Sequence, residues 1–369
     1  MTMLADDHLP YLTTDLPGLG GRIKVEPEDF VVEEQPLYRP SGSGEHLYLW
    51  IEKRDVSGER LLEHVARTLG ISRNDIGMAG IKDRRAVTRQ FLSVPNKAKE
   101  RVSELTTESI RVLEVMPHGN KLRTGHLAGN HFTIRIRDPL PAATSAVPQL
   151  VERLHQLGFP NYYGEQRFGH DGETLDLGCR LLTGETTERQ IPYSRRKFLL
   201  RLALSAVQSQ LFNAVLAERL RSGQLHQVQP GDVLQVVASG GCFVAEDVAA
   251  EQLRFDRRET VLTGPMFGPK MKAPSGTAAE LEQRQLIASG LSLDHFRRFP
   301  KLLPGTRRPL LVWPADLQAE SLQDGVRLRF ALPSGAYATT LLREVMKGDV
   351  SGAVQSADID HSTLAADTT

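Results

Sequence analysis

Cysteine is nearly absent. The 369-residue chain has two, Cys179 and Cys242, far apart and without ligand pairs beside them. That excludes a disulfide framework and a thiolate zinc site, and leaves both as ordinary buried or half-buried thiols. Charge of one sign is missing too: 45 basic and 45 acidic residues cancel, so any contact with a polyanion must come from local groups and not from a basic surface. No apolar run approaches the length of a membrane span, and the N-terminus lacks the basic-then-apolar order of a secretory signal, so a cytoplasmic protein is expected. There is no Gly-x-x-x-x-Gly-Lys-Ser/Thr phosphate loop and no His-Glu-x-x-His, and Gly18-Leu19-Gly20-Gly21 lacks the third glycine of a dinucleotide fingerprint. No internal repeat is visible. What remains is 40% hydrophobic and 24% charged, long enough for two domains.

The first part of the chain reads as strands and turns. Residues 21–25 and 30–34 have β-type character, broken by Pro27. Pro40-Ser41-Gly42-Ser43-Gly44 is a loop before a strand at 47–51, and further strands are expected at 87–94, 110–115 and 132–136. Ser57 is placed as an N-cap, with Leu61, Leu62, Val65 and Leu69 on one helical face and Gly70 as the stop. Leu150 to Leu157 should be a helix ended by Gly158. Beyond it the character changes. Phe198 to Arg221 carries one apolar stripe of Leu199, Leu202, Val207, Leu211, Phe212, Val215 and Leu216, which points to core and not to a ligand site. The expected organisation is a first domain segment at 1–158, an inserted domain at 159–304, a second segment of the first domain at 305–350, and a disordered tail at 351–369.

The run Ala79-Gly80-Ile81-Lys82-Asp83-Arg84-Arg85-Ala86-Val87-Thr88-Arg89-Gln90 sets one carboxylate in a dense basic segment after a small-residue turn. Either it is an exposed turn whose surface pairs contribute little, or Asp83 is an ionised nucleophile or base with spare cations for phosphates. Basic groups also cluster at Arg84, Arg85 and Arg89, at Arg195, Arg196, Lys197 and Arg201, and at Arg297, Arg298, Lys301, Arg307 and Arg308. Gathered on one face they would make a phosphate-binding groove; singly they are solvated helix faces.

The Asp83 segment resembles the signature of the TruD family of tRNA pseudouridine synthases, whose Gly-x-Lys-Asp-Arg aspartate is catalytic. Similar blocks follow in family order. They are Ile23 to Phe30, Glu45 to Leu49, Gly129-Asn130-His131-Phe132, Phe159 to Gly169, and Phe330 to Thr339. Together they span nearly the whole chain. The resemblance implies an α+β fold: a pseudouridine-synthase catalytic domain on a mixed, largely antiparallel sheet, interrupted by an inserted α/β TRUD domain. It implies a tRNA substrate modified at position 13, a monomer, and no obligatory protein partner.

It also implies Asp83 as the catalytic residue, with Phe30, Asn130 and Phe330 around the target nucleotide. A phenyl face suits a uracil or walls its pocket, and an amide suits a ring edge or the sugar. Of Lys82 and Arg84, one is expected to orient or charge-balance Asp83 and the other to meet a phosphate. Uridine isomerisation loses no group and changes no oxidation state, so no cofactor or metal is required. His46 and His131 have no step to perform. Glu165, Gln166 and Arg167 read as a hinge or an RNA contact. Two alternatives stand beside this reading, a nucleosidase, which would usually need a second carboxylate, and a non-catalytic RNA-binding module.

Overall fold

Period-two alternation sets the strands of the first part of the chain. A computed structural model, describing residues 9–80 and 82–348, gives β1 (Phe30–Pro36), β2 (His46–Arg54), β3 (Gly77–Met78), β4 (Val87–Pro95), β5 (Ile110–His118) and β6 (Leu127–Arg137). The expected tail at 351–369 lies outside the described residues. Between β2 and β3 runs α1 (Gly58–Leu69). Ser57 Oγ accepts from the Arg60 N–H at 3.3 Å, and Gly70 ends the helix at φ 66°, the left-handed cap that glycine adopts without Cβ strain. Its buried face, Leu61, Val65 and Leu69, packs on Leu47, Leu49, Ile51, Leu92 and Val94 of β2 and β4. Two further helices, α2 (Pro141–Thr144) and α3 (Val147–Leu157), complete this stretch.

Residues 21–25 depart from the expected strand. They contribute one isolated bridge, Arg22 with Arg137, and Lys24 takes φ 55°, a left-handed conformation that ends any extended run. A 3₁₀ turn at Pro27–Asp29 follows, in which Asp29 Oδ2 accepts from the Glu26 N–H. The buried Asp29 carboxylate then takes Arg137 Nε at 2.9 Å. That pair fixes where β1 begins.

From Leu157 to Val312 the chain forms a separate compact unit, which also includes the segment ending at Thr14. Its elements are β7 (Phe159–Pro160), α4 (Glu173–Thr183), α5 (Tyr193–Arg221), β8 (Val233–Val236), β9 (Cys242–Val244), α6 (Val248–Asp256), β10 (Thr260–Met266), α7 (Gly276–Ala288), α8 (Leu293–Arg297), β11 (Thr306–Pro309) and β12 (Leu311–Val312). The unit therefore ends at 312 and not at the 304 that composition suggests. Residues 308–312 do not rejoin the first sheet, because β11 pairs with β10 and β12 with β7. A strand's partner is a matter of register, which composition does not carry.

The stripe expected on the long helix is also too narrow. Every residue of α5 from Leu202 to Ser209 is buried, as are Leu211, Phe212, Asn213 and Val215 to Ala217, so the helix is enclosed on all sides. Its buried amides are satisfied: Asn213 Nδ2 donates to Tyr163 O, Asn213 Oδ1 accepts from Tyr163 N–H, and Gln208 Nε2 donates to Phe267 O. By length and composition α5 could cross a membrane, but 78% of its apolar window is buried inside the protein, which marks a core helix.

At Trp313 the chain re-enters the first unit with β13 (Ala315–Leu322), β14 (Gly325–Pro333) and α9 (Ala338–Met346). The sheet order is β13-β14-β6-β1-β4-β2-β5, with β3 also paired to β4. Only β1–β4 is parallel. The fold is α+β on a mixed, largely antiparallel sheet, as expected. Leu19 and Gly20 donate their N–H groups to Val345 O and Met346 O, tying the early segment to α9.

Candidate active site

Register places the candidate residues. Side chains two apart on a strand share a face, and three consecutive rows cross one face of the sheet. The first holds Phe30, Ile134 and Leu328. The second holds Lys53, Thr88, Val32, Phe132 and Phe330. The third holds Glu34, Asn130 and Leu332, together with Gln90 opposite Ile51. Phe30, Asn130 and Phe330 thus converge although they come from three strands.

Phe30 and Phe330 have no open ring face, being 1% and 2% exposed. Phe330 stacks on Phe132, with centroids 5.3 Å apart and planes at 24°, and Phe30 meets Phe132 edge-on at 6.2 Å. These rings are a floor, not a free stacking platform. Phe132 sits between them. It lies two residues after Asn130, so period-two alternation could have singled it out.

The segment between β3 and β4 carries Asp83 over this floor. Its carboxylate lies 3.4 Å from Lys24 Nζ, with side-chain exposures of 44% for Asp83 and 1% for Lys24. The same ammonium stands 4.4 Å from the Phe30 ring centroid, within reach of the ring's negative face. The positive φ at Lys24 turns this side chain inward, and nothing in the sequence pattern announces it. The Asp83 main-chain carbonyl accepts from Lys53 Nζ at 2.7 Å, and Lys53, fully buried on β2, also donates to Val56 O.

Lys82 and Arg84 have other partners. Lys82 Nζ is 3.0 Å from Glu34 Oε2, the side chains being 6% and 0% exposed, so this cation is spent inside the protein. Burial pushes Glu34 above the usual carboxylate range, against the opposing pull of Lys82. Arg84, half-exposed, lies 3.8 Å from Asp55. The ion pair of Asp83 is made by Lys24, neither of the two lysine and arginine neighbours in sequence.

The basic clusters are largely occupied as well. Arg89 bridges Glu33 and Glu52, Arg196 donates to Ile191 O, and Arg297 pairs with Asp294. Arg307 is a buried partner of Glu282. Arg308 donates to Asn161 and lies 4.2 Å from the Tyr163 ring centroid. Arg167, read as a hinge or RNA contact, is buried and donates to Ser209 Oγ. Arg196 and Arg297 use partners within five residues, whereas those of Arg89, Arg167, Arg307 and Arg308 come from other elements, which proximity in sequence could not show. Two open clefts of the sheet unit, about 350 Å³ near Arg54 and Arg111 and about 230 Å³ near His131 and Arg329, are not lined by Asp83. Among the described residues no cluster of three His, Cys, Asp or Glu could hold a metal.

A family model described as tRNA pseudouridine synthase D (TruD) matches residues 8–193 and 194–345. The chain is 44% identical over 342 residues to a tRNA pseudouridine synthase D of Anaeromyxobacter dehalogenans, covering 92% of this chain and 97% of the relative. A Thermus thermophilus protein of the same name is 43% identical over 342 residues, covering 92% and 93%. Among solved structures, a Methanosarcina mazei chain described as TruD superposes with a TM-score of 0.75 at 27% identity, covering 92% of this chain and 96% of that one.

Proposed function

The chain belongs to the TruD family and is a tRNA pseudouridine synthase, and on that premise we propose that it isomerises the uridine at tRNA position 13, as a cytoplasmic monomer, with Asp83 as the catalytic carboxylate. The reaction breaks C1′–N1, turns the uracil and forms C1′–C5. The C5 proton leaves and N1 gains one, so nothing is oxidised or reduced. As C1′–N1 loosens the sugar becomes electron-poor, and a carboxylate oxygen can capture or stabilise it, as in retaining glycosidases. Removing a ribose proton is the second route open to the same oxygen. Both need a charged group that the nucleotide can reach.

The observation that supports this reading is the pairing of an accessible carboxylate with an inaccessible cation: Asp83 is open to solvent on one side while Lys24 holds it from the protein interior. The target base must first leave its stack, at a cost of roughly a few kcal/mol. The Phe30, Phe132 and Phe330 floor then confines it, and the Asn130 amide faces the same space. Arg84, held only loosely by Asp55, suits a phosphate of the flipped nucleotide; Lys82 does not.

Two measurements test this. Mapping pseudouridine in cellular tRNA with and without the protein should show loss at position 13; loss at another position would overturn the assignment. Release of the C5 proton from tRNA labelled at uracil C5 should fall by at least about 10³-fold in Asp83→Asn, with tRNA binding retained. Undiminished release would remove Asp83 from the chemistry.

A further inference from the structure

We infer that the Gln90 side-chain amide, with Asn130 beside it, reads the imide edge of the flipped uracil and keeps hold of it while the detached base turns. This rests on the synthase reading above. Gln90 is 1% exposed, and neither its Oε1 nor its Nε2 has a hydrogen-bond partner. On the same face, Thr88 Oγ1 and Asn130 Oδ1 are equally unpartnered. Each such group is costly when left unmet, and the buried amides of Asn161, Asn213 and Gln208 do not bear that cost. Asn161 Nδ2 donates to Pro309 O and its Oδ1 accepts from Arg308, and Asn213 and Gln208 are satisfied as described above. Among the described residues the buried amide groups left unmet are thus those of Gln90 and Asn130, in one row with Glu34 and on the face whose Lys53 holds the Asp83 carbonyl.

Position and chemistry agree. Gln90 is one same-face step, about 7 Å along β4, from Thr88, whose cross-strand neighbour Lys53 holds the Asp83 carbonyl. A uracil ring and one hydrogen bond span such a distance. The imide edge of uracil presents O4, N3–H and O2, in the order acceptor, donor, acceptor. Isomerisation exchanges N1 with C5 by a half-turn about the axis through N3 and C6, and this half-turn exchanges O2 with O4. The edge is therefore the same before and after. A glutamine amide accepting from N3–H through Oε1 and donating through Nε2 to the adjacent carbonyl makes identical bonds to both orientations. No other edge of the ring has that property, so this one can be held without favouring reactant over product.

The test compares single-turnover rates on tRNA transcripts carrying uridine or 3-methyluridine at the target, using wild type and Gln90→Met. Wild type should be slowed at least about 100-fold by the methyl group, which removes the donor and blocks the edge. Gln90→Met should be slowed about 10- to 100-fold on uridine, with tRNA affinity unchanged, and its further penalty for 3-methyluridine should shrink to a few-fold at most. A wild-type rate for Gln90→Met, or an undiminished methylation penalty, overturns the inference. If Gln90→Met does not fold, Gln90→Glu tests the other bond, since it keeps the acceptor for N3–H and loses the donor. It should be slowed about 10-fold on uridine while its penalty for 3-methyluridine stays that of wild type, and a wild-type rate on uridine overturns the inference. Absence of pseudouridine with wild type on uridine would overturn the synthase reading itself.

Discussion

Glu34 and Lys82 form an ion pair of 3.0 Å with almost no exposure on either side, and the lysine is the residue immediately before Asp83. One residue on, the Asp83 carbonyl is held by Lys53 of a different strand. The backbone that presents the carboxylate is thus pinned on both sides to side chains rising from the sheet, one on β1 and one on β2.

Removing one partner of that pair strands a buried charge. Glu34→Gln or Lys82→Met should each cost about 3–5 kcal/mol, read as a lower urea midpoint. The double change Glu34→Leu with Lys82→Met should recover most of the stability, because no charge is left buried. It should not recover turnover, since the Asp83 segment has lost one anchor. Full activity in the stable double variant would show that the pair does not position Asp83.

Lys24 should matter to rate more than to substrate affinity. Lys24→Met leaves Asp83 without its ion partner and frees a carboxylate that must stay within reach of C1′, so kcat should drop on the order of 100-fold. KM for tRNA should stay within a few-fold. A change confined to KM would assign Lys24 to RNA binding.

Within the inserted unit, Arg307 is the residue whose loss should be felt most. Its guanidinium donates to both Glu282 oxygens, at 3.0 and 2.7 Å, and to Thr263 Oγ1 and O, while burial pushes Glu282 upward against Arg307. Arg307→Met should destabilise by about 3–5 kcal/mol, measured by thermal unfolding. An unchanged melting temperature would contradict the burial of this pair.

Cys179 should be a poor nucleophile. Burial, and then the nearby Asp176 and Glu185, push its thiol up to about 11. In a Cys242→Ser background, native-state alkylation should be slow at pH 8 and should accelerate toward pH 11. Because the folded value is raised, the stability this group contributes is complete below the unfolded value of 9.0 and is lost as pH rises through about 11. Rapid stoichiometric alkylation at pH 8 would count against it.

Much of the scaffold was legible because its signals are local. Ser57, Gly70 and the Leu61, Val65, Leu69 face define α1 within a dozen residues, and the alternation at 30–34, 87–94 and 132–136 appears as β1, β4 and β6. The site was legible only in part. Phe30, Asn130 and Phe330 are drawn to one face by register, but the companions of Asp83 are not its neighbours. Lys24 and Lys53 reach it through a left-handed backbone turn and a strand face, and Glu34 reaches the preceding Lys82 from a second strand, which no spacing rule encodes. The basic clusters misled for the same reason, since Arg307 and Arg89 look like surface cations until their acids arrive, from α7 for Arg307 and from β1 and β2 for Arg89. The inserted unit's end was missed because strands at 306–312 resemble any others until they are paired.

The stacked pair Phe132 and Phe330 has a consequence for how the molecule is made. The stretch of the other unit from Leu157 to Val312 is synthesised between them, and β14 leaves the ribosome after it. Until then β6 has an open edge and the aromatic floor is half built, so a nascent or truncated chain ending before β14 cannot close the site. Long-range strand pairing of this kind is slow, and an uncapped β6 invites association with other chains in the interval. Residues 325–333, which form β14, are therefore the ones on which solubility during translation should depend.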